Sequence, residues 1–206
     1  IPVWGMCHSV HYTVENLADY LRLEPGELSF RAAGVNHLAW LTELTRDGED
    51  LYPLLRERGQ DPAVRAQDPV RFELMDQLGA FPTESSGHVS EYVPWFRTHP
   101  ELVASWQGTE YRGESGFYAH HWPQWRLDND ALLRRVLAGE EDYPMVRGGE
   151  YPSHIVEAMA TGAPRTIYVT TPNRGWVSNL HQGNAVEVAA RVDADGIHPE
   201  AFGPPP

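Results

Sequence analysis

The sequence predicts a mixed α+β domain, an antiparallel sheet covered by several helices, and three observations carry that prediction. Two runs of strand character, Leu28–Ala33 and Leu38–Leu44, flank a short break, Gly34-Val35-Asn36-His37. Apolar residues fall at helical spacing on either side of them, at Val14, Leu17, Ala18 and Leu21 and again at Val70, Phe72, Leu74, Met75 and Leu78. A second β-rich pair, Arg165–Thr170 and Ala185–Val192, lies near the end of the chain.

Val3 to Met6 is a short apolar run suited to a buried strand, which would put Cys7 at its polar end. Thr13 is the expected N-cap of the first helix, and Pro25-Gly26 a turn. After the two strands, Asp47-Gly48 closes the second. Asp50 to Arg58 reads as a helix with Leu51, Leu54 and Leu55 on one face. Asp68 to Leu78 reads as another, with Pro69 in its first turn and Gly79 as its stop. Phe81 to Phe96 is expected to be a polar loop leading into an aromatic segment. Residues 98–149 carry one amphipathic helix, Asn129 to Ala138. Tyr151 to Ala160 forms a further helix capped by Ser153 and ended by Gly162. Pro172-Asn173-Arg174-Gly175 and Asp193-Ala194-Asp195-Gly196 are turn signals rather than sites.

The chain has 206 residues, of which 41% are hydrophobic, enough for a real core. Its net charge is −13 and it contains no lysine, so nucleic acid and anionic membranes are poor partners. No run of about 18 apolar residues and no signal peptide occur. The single cysteine, Cys7, fits a reducing, cytoplasmic setting. Ile1 stands where a complete chain would begin with Met, and Gly203-Pro204-Pro205-Pro206 ends abruptly, so the expectation is a fragment of a longer protein.

Cys7 has no partner for an internal disulfide, which leaves metal binding, nucleophilic attack or packing. With His37 it offers a thiolate and an imidazole, a pair that by softness prefers zinc or ferrous iron. Their separation of 30 residues matches no finger or ribbon, so a site made of them is open, as catalysis needs. Thr83-Glu84-Ser85-Ser86-Gly87-His88 could orient sugar hydroxyls or cap the next segment, and it is no nucleophile elbow. Tyr92 is a base only if a nearby cation lowers its pKa from about 10. Carboxylate pairs such as Glu84 with Glu91 or Glu49 with Asp50 leave an ordinary two-carboxylate glycosidase open.

Seven segments coincide in order and spacing with one family. They are Gly5-Met6-Cys7-His8-Ser9-Val10, Gly34 to Trp40, Thr83 to His88, Glu91 to Arg97, Tyr151 to Ile155, Val186-Glu187-Val188 and Asp195 to Pro199. Together they resemble glycoside hydrolase family 4, and Cys-His-Ser with Thr-Glu-Ser-Ser resembles its α-galactosidase branch. The resemblance implies the C-terminal catalytic domain of a lactate/malate dehydrogenase-like fold across residues 1–206, truncated at both ends. The Rossmann domain with its Gly-rich NAD loop is absent, and no Gly-x-Gly-x-x-Gly occurs.

The chemistry implied is NAD-dependent oxidation at the sugar's C3, metal-assisted removal of the C2 proton, elimination at C1, addition of water and return of the hydride. The cofactors implied are NAD and a divalent metal, usually Mn2+. Carried over by position, Cys7 and His37 are metal ligands, His8 is the acid for the leaving oxygen and Tyr92 the C2 base. Ser9, Asn36, Glu84 and His88 are sugar contacts, and the partners are a sugar substrate and, at full length, further copies of the chain. His11 stands where the α-galactosidase branch often has Gln, and the tryptophan-rich stretch from Trp106 to Trp125 departs from the pattern too. A uronide-cleaving enzyme, with Arg97 or Arg112 at the sugar's C6, and a non-catalytic sugar-binding module are the alternatives. The 206 residues alone are expected to be inactive.

Overall fold

The computed structural model describes residues 3–106, 117–143, 145 and 150–203. The chain divides into two units, Ile1–Arg112 with Glu150–Pro206, and Gly113–Gly149. Arg112, one of the residues expected to face a uronide, lies outside the described residues.

The larger unit is built on one antiparallel sheet. Its strands are β1 (Ser29–Val35), β2 (Leu38–Arg46), β3 (Glu49–Asp50), β4 (Phe81–Pro82), β5 (Arg165–Pro172), β6 (Ala185–Asp193) and β7 (Gly196–Pro199). The order is β3-β2-β1-β6-β5, with β4 added to β2 and β7 to β6. Sequence neighbours pair as hairpins, but the central contact joins β1 to β6 at Gly34 and Glu187. A bulge between Arg31 and Ala32 shifts the β1–β2 register.

Alternation along β5 and β6 sorts side chains onto two covered faces. Tyr168 and Ala189 pack with helix α1 (Ser9–Leu21), α2 (Tyr52–Arg58) and α4 (Pro69–Leu78) around Leu17, Leu41, Leu55, Phe72 and Phe81. Ile167, Val169, Ala190 and Val192 turn the other way, onto Tyr151 and Ala158 of α8 (Tyr151–Thr161). Each fully buried Leu or Phe contributes about 1.5–3 kcal/mol.

Several expected elements form with different bounds. Helix α1 starts at Ser9 rather than after Thr13, because buried Val10 extends the Val14–Leu17–Leu21 stripe by a turn. Thr13 therefore sits inside the helix, and its hydroxyl donates to the Thr83 carbonyl instead (2.7 Å). The expected strand over Val3–Met6 reduces to one bridge, Gly5 with Thr170. Helix α4 and its left-handed Gly79 stop form as read, and α3 (Pro62–Arg65), capped by Asp61, is an added turn of helix.

The expected loop after Phe81 contains helix α5 (Ser86–Tyr92), whose cap is the Ser85 hydroxyl accepting from the His88 N–H (3.4 Å). Helix α6 spans Pro100–Ser105. Helix α8 is preceded by Glu150, so Ser153 lies within it rather than at its cap. In the smaller unit, helix α7 (Phe117–Leu137) runs well N-terminal of the expected Asn129 start, through Pro123. A proline there removes one backbone donor and breaks the local pattern a sequence reading relies on.

One buried polar knot fastens α1, α4 and α5 together. Arg71 is 1% exposed and pairs with Asp68, 4% exposed, at the start of its own helix. Asp68 also accepts from the Tyr20 and Ser86 hydroxyls, and Arg71 donates to Thr13 (2.6 Å). Removing one member of such a pair strands a buried charge, at a cost of about 3–5 kcal/mol. Asp68→Ala is therefore expected to lower unfolding stability by roughly that amount in a urea titration. A loss below about 1 kcal/mol would show the knot to be dispensable.

Candidate metal centre

The sheet delivers two chain segments to one place. In a row across it stand Gly34 of β1, Glu187 of β6, Thr170 of β5 and then Gly5. Gly5 exchanges both backbone bonds with Thr170 (3.0 and 2.8 Å). A Cβ on Gly5 would stand 2.9 Å from the Thr170 Cβ, and one on Gly34 would stand 2.7 Å from the Ala39 Cα, so both close approaches require glycine. Two residues beyond Gly5 comes Cys7, and three beyond Gly34 comes His37.

His37 closes the β1–β2 hairpin, whose last pair is Val35 with Leu38. It is left-handed (φ 65°), a conformation that costs a non-glycine residue of order 1 kcal/mol and persists only where its surroundings hold it. Here they do. Its Nδ1 meets the Tyr92 hydroxyl at 3.0 Å, and its Nε2 lies 3.7 Å from Cys7 Sγ and 3.6 Å from Glu84 Oε2. Glu84 is buried, and its Oε1 accepts from the Ser85 N–H (2.8 Å). Thr83, just before it, is fixed to the Ala39 carbonyl by its N–H (3.0 Å) and its hydroxyl (3.2 Å).

Cys7, His37 and Glu84 thus present one sulfur, one nitrogen and one oxygen, all within 4.8 Å of one another. Donor atoms each about 2.0–2.5 Å from one ion stand roughly 3–5 Å apart, so this set fits a divalent metal. The carboxylate changes the preference drawn from the thiolate and imidazole alone, because oxygen ligands bring harder ions such as manganese within range. A metal held by Nε2 would leave the ring proton on Nδ1, where it would donate to the Tyr92 oxygen and fix the ring.

The other sequence-derived candidates surround this set unevenly. His88 stacks edge-on to His37 at 5.5 Å, and its Nδ1 is 3.5 Å from Glu91. His8 precedes α1 and is half exposed, with Nδ1 3.7 Å from Glu150 Oε2. The Ser9 hydroxyl is buried without a hydrogen-bond partner among the described residues. Asn36 donates from Nδ2 to Glu187 Oε1 (3.3 Å). Arg97 is occupied by Ser90 (2.8 Å) and Glu91 (3.9 Å) on α5. His11 packs on Tyr151 (4.9 Å), and burial lowers its pKa, with His154 and His8 adding to the effect.

Glu187 is the residue the sequence reading passed over as a site. It is 0% exposed, and its Oε2 has no hydrogen-bond partner among the described residues. Its phase along β6 matches Ala189, so it points to the α1 face where an apolar side chain belongs. Burial pushes its pKa up to about 7; Asn36's donation opposes this and the Glu84 charge adds to it. The available signal was a carboxylate in an inward position of Val186-Glu187-Val188.

The family model described as the family 4 glycosyl hydrolase C-terminal domain matches residues 32–206. An α-galactosidase of Bacillus subtilis (strain 168) is 37% identical over 204 residues, covering 97% of this chain and 45% of its own. An α-galactosidase of Rhizobium meliloti (strain 1021) is 30% identical, covering 94% and 41%. The chain thus spans a little under half the length of these relatives. Among solved structures, a Bacillus subtilis protein described as a glucosidase, lplD, matches with a TM-score of 0.82 at 23% identity, covering 100% of this chain and 51% of that one. A 6-phospho-α-glucosidase from gut microorganisms, in complex with NAD and Mn2+, matches with a TM-score of 0.72 at 17% identity, covering 98% and 48%. These two likenesses establish the fold.

The raised pKa of Glu187 makes a prediction about stability. The unfolded chain releases this proton near the ordinary carboxylate value of 4.5 and the folded chain only near 7, so folding favours the protonated form. The contribution is full below pH 4.5 and is lost as pH rises through 7. Relative to Glu187→Gln, the unmodified chain should lose about 3 kcal/mol across that window, read from urea midpoints at several pH values. Parallel profiles for the two proteins would contradict the assignment.

Proposed function

As this chain belongs to the family 4 glycosyl hydrolases, we propose that it is the metal- and sugar-holding part of an enzyme that hydrolyses α-glycosides, with α-galactosides as its substrates. The observation that carries the proposal is the Cys7–His37–Glu84 set, three ligand types converging within 4.8 Å. The α-galactosidase relatives at 37% and 30% identity support the substrate, and the NAD and Mn2+ of the 6-phospho-α-glucosidase complex support the cofactors. Residues 1–206 all belong to the catalytic domain of that enzyme in this proposal. At full length we expect the protein to be a cytoplasmic homo-oligomer.

Cys7, His37 and Glu84 would hold the manganese ion. Bound there, it would supply Lewis-acid stabilisation of the negative charge that develops on the sugar's oxygens. These 206 residues contain no Gly-rich phosphate loop, so NAD, the hydride acceptor for C3, is assigned to no residue of this chain.

The chain's own groups then divide the proton work. Tyr92, half exposed, keeps its hydroxyl at the edge of the cluster where a sugar C2 comes within reach. His37 Nδ1 stands 3.0 Å from the Tyr92 oxygen and orients it; as the phenolate, its own proton released to solvent, that oxygen takes the C2 proton and becomes the neutral phenol. His8, half exposed just before α1 with Nδ1 3.7 Å from Glu150 Oε2, is the residue that gives a proton to the departing glycosidic oxygen. Ser9 offers an unspent hydroxyl to the sugar. Asn36 and His88 flank the cluster as further sugar contacts, and Glu84 serves the metal first.

Two measurements on the complete enzyme, supplied with NAD and manganese, test this reading. An α-galactoside deuterated at C2 should turn over more slowly than its protiated form, and Tyr92→Phe should lower kcat by about 10²–10⁴-fold. Cys7→Ser and Glu84→Gln should each lower bound manganese, measured by elemental analysis, and lower kcat/KM by roughly 100-fold or more. An absent isotope effect together with NAD-independent turnover would contradict the mechanism. Preference for an α-galacturonide in a substrate panel would replace the galactoside.

A further inference from the structure

We propose that Glu187 is a positioning residue for the metal cluster: through Asn36 it holds the left-handed turn that aims His37. The inference rests on reading Cys7, His37 and Glu84 as metal ligands. It begins with a cost that the fold carries without local compensation. A carboxyl group with 0% exposure stands on an inward strand position; among the described residues one oxygen has no hydrogen-bond partner and the other meets only the Asn36 amide. Burying such a group is unfavourable relative to an apolar residue of similar size.

That cost has a return at the turn. His37 is non-glycine in the left-handed region, and the two-residue loop Asn36-His37 is joined to the sheet behind it by two links to one residue. Gly34 pairs with Glu187 along the backbone ladder, and Asn36 reaches the Glu187 carboxyl with its side chain. The Asn36 bond fixes the residue next to His37, and the Tyr92 bond fixes the ring itself. Losing either would let the turn relax toward an ordinary conformation and swing Nε2 away from Cys7 and Glu84. Removing groups that orient metal ligands in this way typically costs about 10–100-fold in metal affinity.

Because Glu187 acts through one hydrogen bond, the bond can be broken and remade. Above pH 7, where Glu187 is ionised and the manganese titration below is made, Asn36→Asp sets two carboxylates against each other. Glu187→Gln keeps an acceptor for Asn36. The double variant restores a donor–acceptor pair in the reverse direction, from the new amide on β6 to the new carboxyl on the turn.

The experiment is titration of manganese into the complete, metal-free enzyme, with affinity read by electron paramagnetic resonance of free Mn2+ and folding read by thermal melting. Asn36→Asp should weaken manganese by about tenfold or more. Glu187→Gln should stay within about threefold of the unmodified enzyme, and the double variant should recover to the same range. A double variant as weak as Asn36→Asp alone would overturn the proposal. So would an Asn36→Asp protein that binds manganese like the unmodified enzyme. Cys7→Ser is the control that separates the two readings. If it leaves manganese affinity unchanged, the metal assignment itself fails and the role of Glu187 falls with it. Should Asn36→Asp not fold, Asn36→Ala with Glu187→Ala supplies the second cycle. Each should weaken manganese about tenfold and the pair no more than either alone, whereas a loss of about a hundredfold in the pair would overturn the proposal.

Discussion

The row Gly34–Glu187–Thr170–Gly5 is the constraint on which the rest of the site depends. Neighbouring strands stand about 4.8 Å apart, so the row sets Gly5 and Gly34 roughly 14 Å from each other. The segments leaving its two ends close that gap to 3.7 Å between Cys7 and His37. Each end is a glycine whose missing Cβ allows the approach. A register shift of one residue would turn Glu187 to the opposite face and break its bond to Asn36.

The third member of the set arrives by another route. Glu84 lies between Thr83, tied to β2 and to Thr13, and Ser86, tied to Asp68. The Arg71–Asp68 knot therefore does two jobs. It joins three helices under the sheet, and it fixes the segment that carries the carboxylate. The Arg71 guanidinium and the Glu84 carboxylate also attract one another, so the knot holds an anionic side chain beside the cluster. Stability and site geometry share the same buried residues, so substitutions in the knot are expected to affect both.

Much of this was legible in the residues, for reasons that differ by element. The β1–β2 hairpin and helix α4 have complete local signals: alternation or helical spacing, a starting proline, a closing glycine. Cys7 and His37 stood out by residue type, and the family resemblance joined them. Glu84 was read as a sugar contact, since nothing local to Thr83-Glu84-Ser85-Ser86 says that β4 will bring it against His37. Helix α5 was hidden because a run of small polar residues looks like a loop until the Ser85 cap is seen. The segment before Cys7 looked like a strand by composition, yet it makes a single bridge because α1 begins four residues after Gly5. Glu187 could be seen in the sequence only as a polar residue out of phase, and its role depends on β1 and β6, two strands far apart in the chain.

If Cys7, His37 and Glu84 share one metal ion, X-ray absorption at the manganese edge, on the complete enzyme loaded with one equivalent of Mn2+, will show it. The expected spectrum has a first shell of nitrogen and oxygen with one sulfur, and Cys7→Ser loses that sulfur. A shell of nitrogen and oxygen alone in the unmodified enzyme would contradict it.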